Sequence, residues 1–188
     1  IALQALSGAA ERKEDFLYIS NDNEGYMNTR TQRSSATPLL AWTTTTPVMQ
    51  PKENPKKDIM AIMADHQIPY AATATIAYPE DLLRKLEKAK GIRGTRFIHL
   101  FSPCPPGWKM ASEMSVKISR LAVRSRIFPL YEIENGRNYT IQEEHRIVPV
   151  KEYLKLQGRF SHLTEKDIET TQKNADDTWE RLLRRARC

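Results

Sequence analysis

The segment that most constrains this chain runs from Asp22 to Pro38: Asp-Asn-Glu-Gly-Tyr-Met-Asn-Thr-Arg-Thr-Gln-Arg-Ser-Ser-Ala-Thr-Pro. It follows a short apolar run, Phe16 to Ser20, that reads as a buried parallel strand. It is far richer in side-chain amides and hydroxyls than a connector needs. The aperiodic polar stretch continues to about residue 56, and loops of such length tend to be functional. In open α/β sheets, ligands sit where loops leave the carboxyl ends of strands. This loop offers oxygen ligands suited to a hard cation such as Mg²⁺, which commonly keeps a phosphate partner. From spacing alone, an Asx-turn at a strand end is the simpler account of Asn23 and Gly25. Asn28 read the same way is an exposed loop amide.

The rest of the chain alternates. Residues 1–12 read as a helix, 16–21 as a strand and 57–66 as a short amphipathic helix with Ile59, Met60, Ile62 and Met63 on one side. Tyr70 to Ala77 is strand-like. Pro79 then opens a helix at the favoured first position, with Glu80 and Asp81 in its first turn. Leu82, Leu83, Leu86 and Ala89 form its expected buried stripe, and Gly91 ends it. Thr95 to Ser102 is a further strand. This order predicts an α/β fold, part of a doubly wound domain. Beyond residue 110 the pattern changes to an α+β extension. It contains a helix over 113–124, a hairpin signalled by Asn135-Gly136, a short helix over 150–156 and a last helix opening at Thr164. The last helix carries a stripe of Ile168, Thr171, Ala175, Trp179, Leu182 and Leu183. The expected division is therefore 1–110 and 111–188, the second part packing against another subunit. The start at Ile1, in a helix already under way with no initiator Met, is expected of the C-terminal portion of a longer subunit.

Bulk properties narrow the classes. Length suits one domain. The formal net charge of +6 and pI near 9.3 are moderately basic. A nucleic-acid binder would carry a basic stripe with exposed aromatics, and none is evident. A solvated surface or the docking of an acidic protein partner both fit. Two cysteines, Cys104 and Cys188, are too few for a disulfide framework, which points to a reducing, cytoplasmic setting. No apolar run approaches the ~20 residues of a membrane span. His66, His99, His145 and His162 show no metal-ligand spacing; His99, in a strand, reads as a buried, hydrogen-bonded residue. Cys104 alone reads as a small hydrophobe between prolines.

Asp22 to Ser34 resembles the thiamine-diphosphate loop of the 2-oxoacid:ferredoxin oxidoreductases, in particular the beta subunit of the pyruvate:ferredoxin oxidoreductase type. The family's loop has the form Asp-Asn-Glu-x-Tyr-Met-Asn-Thr-Gly-x-Gln-Arg-Ser. This chain matches it except that Arg30 stands where the family usually has Gly. Thr37-Pro38 to Thr46-Pro47, Ala77 to Leu82, and Ser102-Pro103-Cys104-Pro105-Pro106-Gly107-Trp108 also resemble the family, in order.

The resemblance implies the following. The cofactors are thiamine diphosphate, Mg²⁺ and a [4Fe-4S] cluster. Asp22, Asn23, Gly25, Asn28 and Thr29 form the cofactor-binding loop. The Asn23 side chain and Gly25 carbonyl complete a Mg²⁺ shell begun by an aspartate upstream of Ile1. Asn28, the residue placed nearest catalysis, lies beside the diphosphate and thiazole end. Cys104 is the fourth cluster ligand, the other three lying upstream, and Pro106 and Trp108 shield the cluster. Gly at position 30 suits φ > 0; Arg30 either bears the strain of that conformation or reaches a substrate carboxylate. The implied enzyme oxidatively decarboxylates a 2-oxoacid, pyruvate foremost, and passes electrons to ferredoxin, usually forming an acyl-CoA. Its partners are alpha, gamma and delta-type subunits, ferredoxin, the 2-oxoacid and coenzyme A. Other 2-oxoacids (oxalate, aryl, branched-chain) remain open as substrates. A non-catalytic assembly subunit with a decayed loop is the rival reading.

Overall fold

A computed structural model describes residues 3–187. The first two residues of the helix expected over 1–12, and Cys188, lie outside these residues. The elements are α1 (Leu3–Glu11), β1 (Phe16–Asp22), α2 (Ile59–Asp65), β2 (Tyr70–Thr75), α3 (Pro79–Gly91), β3 (Thr95–Phe101), α4 (Pro105–Trp108), α5 (Ser115–Arg124), β4 (Tyr131–Glu134), β5 (Asn138–Ile141), α6 (Val150–Leu154) and α7 (Glu165–Arg187). One five-stranded sheet runs in the order β1-β3-β2-β4-β5. β1, β3 and β2 are parallel, and the β4–β5 hairpin adds antiparallel beside β2. The alternating αβ order thus gives an α/β fold. The hairpin that follows residue 110 belongs to the same sheet as the strands before it.

Strand periodicity distributes the core. Ala71 and Phe97 face α1 and α2, where Leu6, Met60 and Met63 close over them. The alternate residues Tyr70, Ala72, Ala74 and Ile98 pack with Ala89 of α3 on the opposite face. Every residue of β2 is buried, as expected of a strand paired on both edges and covered on both faces. A third cluster, around Phe101, Trp108, Ile118, Leu130 and Tyr153, sits beyond the carboxyl end of β3. It forms the base on which the polar loop rests.

One local expectation is corrected. Leu83 of α3 is 59% exposed, while Lys85 is only 1% exposed. The stripe that meets the sheet follows Leu82, Leu86 and Ala89, spaced four and three residues apart. Leu83 lies off that ridge. Lys85 is accepted inside because its Nζ donates to the Thr73 carbonyl at 2.8 Å and to Asp81 Oδ2 at 2.6 Å. Trp108 is wholly buried in the core. The hairpin turns where its residues require, with Asn135 and Gly136 at φ +52° and +69°. A Cβ on Gly136 would overlap the Ala64 carbonyl oxygen. α7 packs on α6 and β5 of its own chain, and the Arg126 guanidinium lies 4.7 Å from the Trp179 ring centre.

Candidate cofactor site

β1 and β3 are neighbours in register, Asp22 opposite Phe101, so their carboxyl ends deliver two separate motifs to one place. The Ser102 amide donates to the Asp22 carbonyl at 3.0 Å and the two chains diverge there. One becomes the long polar loop. The other becomes the Pro-Cys-Pro-Pro-Gly-Trp turn, whose prolines start the single helical turn α4 with Cys104 as its N-cap residue. The Trp108 indole N–H donates to the Asn23 carbonyl at 2.9 Å. Met27 fills the space between: a Cβ on Gly107 would overlap Met27 Sδ and lie 3.4 Å from Cys104 Sγ. Glycine leaves room there for the Met27 side chain.

The loop alternates in burial. Asp22 and Glu24 are buried, while Asn23 and Gly25 are partly exposed. Both Asp22 oxygens are occupied: Oδ1 by the Glu24 amide at 2.9 Å, Oδ2 by His99 Nε2 at 2.7 Å and Lys56 Nζ at 2.5 Å. Burial alone would raise the Asp22 carboxyl. The Lys56 ammonium and the His99 hydrogen bond outweigh it and hold Asp22 well below the usual carboxylate range. Burial would likewise lower Lys56, but Glu24 and Asp22 more than offset it and hold the ammonium above the usual lysine range. Glu24 is 2% exposed, with Lys56 Nζ at 3.0 Å from Oε1 and Arg159 at 2.6 Å from Oε2. Its φ is +66°, a left-handed conformation that costs a side-chain-bearing residue about 1 kcal/mol or more. Beneath the loop lies a cavity of about 220 Å³, bordered by Glu24, Lys56, His99, Phe128, Tyr153 and Leu182.

Past Gly25 the chain folds back on itself. Tyr26 and Gln32 pair through both backbone bonds, at 2.9 and 3.0 Å, and the tip carries Asn28, Thr29 and Arg30, all exposed. Thr29 Oγ1 donates to Gln32 Oε1 at 2.9 Å. Arg30 and Thr31 both have positive φ, +74° and +59°. The loop does ask for a left-handed residue at position 30.

Asn23, Gly25, Met27 and Cys104 are therefore drawn together, and Asn28 and Thr29 stand at the adjoining tip. Sequence reasoning missed Lys56, Arg159, Glu24 and the His99–Asp22 bond as parts of the site. Glu24 stood in the motif; the others gave no local signal, because their roles depend on contacts distant in sequence. The donor chemistry can be weighed directly. Asn23 and Gly25 present an amide and a backbone carbonyl, hard oxygen donors suited to Mg²⁺. A Cβ on Gly25 would lie 2.9 Å from Met27 Cε and 3.2 Å from the Gln32 oxygen, so a side chain there would require Met27 to shift. Cys104 is the single cysteine among the described residues, and they contain no group of three or more His, Cys, Asp or Glu able to hold a metal ion. A cubane cluster commonly takes four thiolates, so they supply one at most.

The fold and this junction define a class: an α/β domain with a rigidly based, oxygen-rich ligand loop at the carboxyl ends of its parallel strands. The chain belongs to the thiamine pyrophosphate enzyme family, matching its C-terminal TPP binding domain over residues 1–100. It is 52% identical to ketoisovalerate oxidoreductase subunit VorB of Pyrococcus furiosus, over 99% of this chain and 61% of that protein. It is 53% identical to pyruvate synthase subunit PorB of Methanocaldococcus jannaschii, over 94% of this chain and 60% of that protein. The chain thus spans about 60% of the length of these curated relatives. A 2-oxoglutarate:ferredoxin oxidoreductase from Magnetococcus marinus, solved with 2-oxoglutarate, coenzyme A and succinyl-CoA bound, shares the fold. Its TM-score is 0.51 at 22% identity, covering 54% of this chain and 34% of that one. Among the described residues, no helix is long and apolar enough to cross a membrane.

Proposed function

We propose that this chain is part of the beta subunit of a cytoplasmic 2-oxoacid:ferredoxin oxidoreductase. The enzyme oxidatively decarboxylates its 2-oxoacid, passes electrons to ferredoxin and forms an acyl-CoA. Alpha, gamma and delta-type subunits complete it, and residues 111–188 pack against them. The observation that carries this reading is the junction at the ends of β1 and β3, where the Trp108–Asn23 bond ties the cofactor loop to the Cys104 turn. Thiamine diphosphate supplies the carbanion chemistry when bound. The chain's own residues bind and orient it. Asn23 and the Gly25 carbonyl give oxygens to Mg²⁺, the Asn28 amide and Thr29 hold the diphosphate end, and Asp22 keeps the loop seated through His99 and Lys56. Cys104 gives one thiolate to a [4Fe-4S] cluster. Pro105, Pro106 and Gly107 form the rigid wall beside it, without the amide N–H groups that proline lacks.

The VorB and PorB relatives match almost equally well, so pyruvate and a branched-chain 2-oxoacid are both candidate substrates. Ferredoxin reduction by the complete complex, with pyruvate and with 2-oxoisovalerate, separates them by kcat/KM. For the site, Asn23→Ala and Asn28→Ala should each raise the thiamine diphosphate concentration required for turnover by about 10-fold or more, with iron content unchanged. Cys104→Ala should lower iron content by part or all of one cluster and abolish ferredoxin reduction. Unaltered iron and electron paramagnetic resonance spectra in Cys104→Ala would make that cysteine structural.

A further inference from the structure

Glu24 is the most heavily restrained residue of the loop. Its amide donates to Asp22 Oδ1, its carbonyl accepts from Thr37 Oγ1 at 2.9 Å, and its carboxylate meets Lys56 and Arg159. Arg159 lies 135 residues further on and is 2% exposed. Its Nε donates to Gln157 Oε1 at 2.9 Å and a terminal nitrogen to the Tyr153 hydroxyl at 3.2 Å. Its guanidinium lies 3.8 Å from the centre of the Trp108 ring, and Trp108 is the residue that grips the Asn23 carbonyl. One cation therefore holds Glu24 directly and braces the group that holds Asn23.

A buried ion pair is poor evidence of stabilisation, since apolar residues of similar volume often do as well. A left-handed glutamate persists only where its surroundings over-determine it. Both facts indicate that the arrangement fixes a geometry. The residues whose geometry it fixes are Asn23 and Gly25, on either side of Glu24.

We propose that Arg159 and Glu24 are the positioning pair of the cofactor site, presenting the Asn23 amide and the Gly25 carbonyl to Mg²⁺. This rests on the reading that Asn23 and Gly25 hold that ion. Groups that orient metal ligands typically change metal affinity about 10- to 100-fold when removed.

The test uses the complete complex. Binding of thiamine diphosphate is titrated against Mg²⁺ by calorimetry for wild type, Glu24→Gln, Thr37→Val and, as control, Asn23→Ala. Unfolding temperatures are recorded without cofactor. Glu24→Gln should raise the Mg²⁺ concentration at half-saturation about 10-fold or more. Thr37→Val, which removes the hydrogen bond to the Glu24 carbonyl and the acceptor of the Ser34 amide, should raise it about threefold. Turnover at saturating Mg²⁺ should fall much less than half-saturation rises. If Asn23→Ala shifts half-saturation while Glu24→Gln and Thr37→Val do not, the positioning role is wrong and the Mg²⁺ site stands. If Asn23→Ala has no effect, the Mg²⁺ reading fails and takes this inference with it. Should Glu24→Gln not assemble, Thr37→Val decides alone: a shift with an unchanged unfolding temperature supports the role, and no shift overturns it.

Discussion

Arg30 holds a backbone conformation that glycine adopts at no steric cost, at φ +74°. It is exposed, and no ion pair involving it is found among the described residues. Arg30→Gly should therefore relieve local strain, offset in part by the greater freedom of glycine in the unfolded chain. The expected gain is up to about 1 kcal/mol, or roughly 2–4 °C in unfolding temperature for a chain of this size. Scanning calorimetry of the complete subunit checks this; a lower transition would mean the arginine side chain contributes contacts that exceed its strain. At this scale the sequence was informative wherever residue type carries a local consequence. Asn135-Gly136 announced a turn, and it is there. Leu83 was misassigned because hydrophobicity was ranked by residue type, while the helix buries whatever lies on its contact ridge, Lys85 included.

Among the elements, β4 joins the sheet beside β2 through a charged edge. Glu132 is buried and accepts from the Tyr70 hydroxyl at 2.8 Å, Lys88 at 2.9 Å and Arg84 at 2.7 Å. Burial would raise its carboxyl, but Lys88, Tyr70 and Arg84 together lower it to about 2 from an ordinary 4.5. A lowered carboxyl stabilises the fold fully above the unfolded value and loses that contribution as pH falls through the folded one. Stability should therefore decline from about pH 4.5 toward pH 2, by about 1–3 kcal/mol for this group, since its cationic partners are part-exposed. Glu132→Gln should flatten that part of the acid unfolding profile, measured by denaturant midpoints at several pH values. An unchanged slope would assign the acid sensitivity to other carboxylates. The existence of β4 and β5 was readable from their turn. Their place beside β2 was not, because strand order depends on which faces remain to be covered, not on any property of the hairpin's own residues.

Across the whole molecule, the site is assembled from the loop after β1, the turn after β3 and the Arg159 region. On the proposed reading, the described residues would supply one thiolate and a partial oxygen set. Residues 1–188 expressed alone are accordingly expected to show no thiamine-dependent turnover; ferredoxin reduction by that polypeptide would refute the proposal that the site is shared with other subunits. The loop and the cysteine turn were legible as separate motifs. Their juxtaposition came only with strand order, which puts β3 directly beside β1. Arg159 was invisible in the sequence because its partner is so distant along the chain. The Glu24–Arg159 contact also limits how such subunits can be recombined. A hybrid that joins residues 1–110 to the remainder of a divergent relative inherits a buried carboxylate facing whatever the donor places opposite. If that is not an arginine, Lys56 still holds Oε1, but the charged hydrogen bond at Oε2 is lost at a cost of about 1.5–3 kcal/mol. Exchange between lineages should keep full stability when position 24 and position 159 travel together and lose part of it when they are separated.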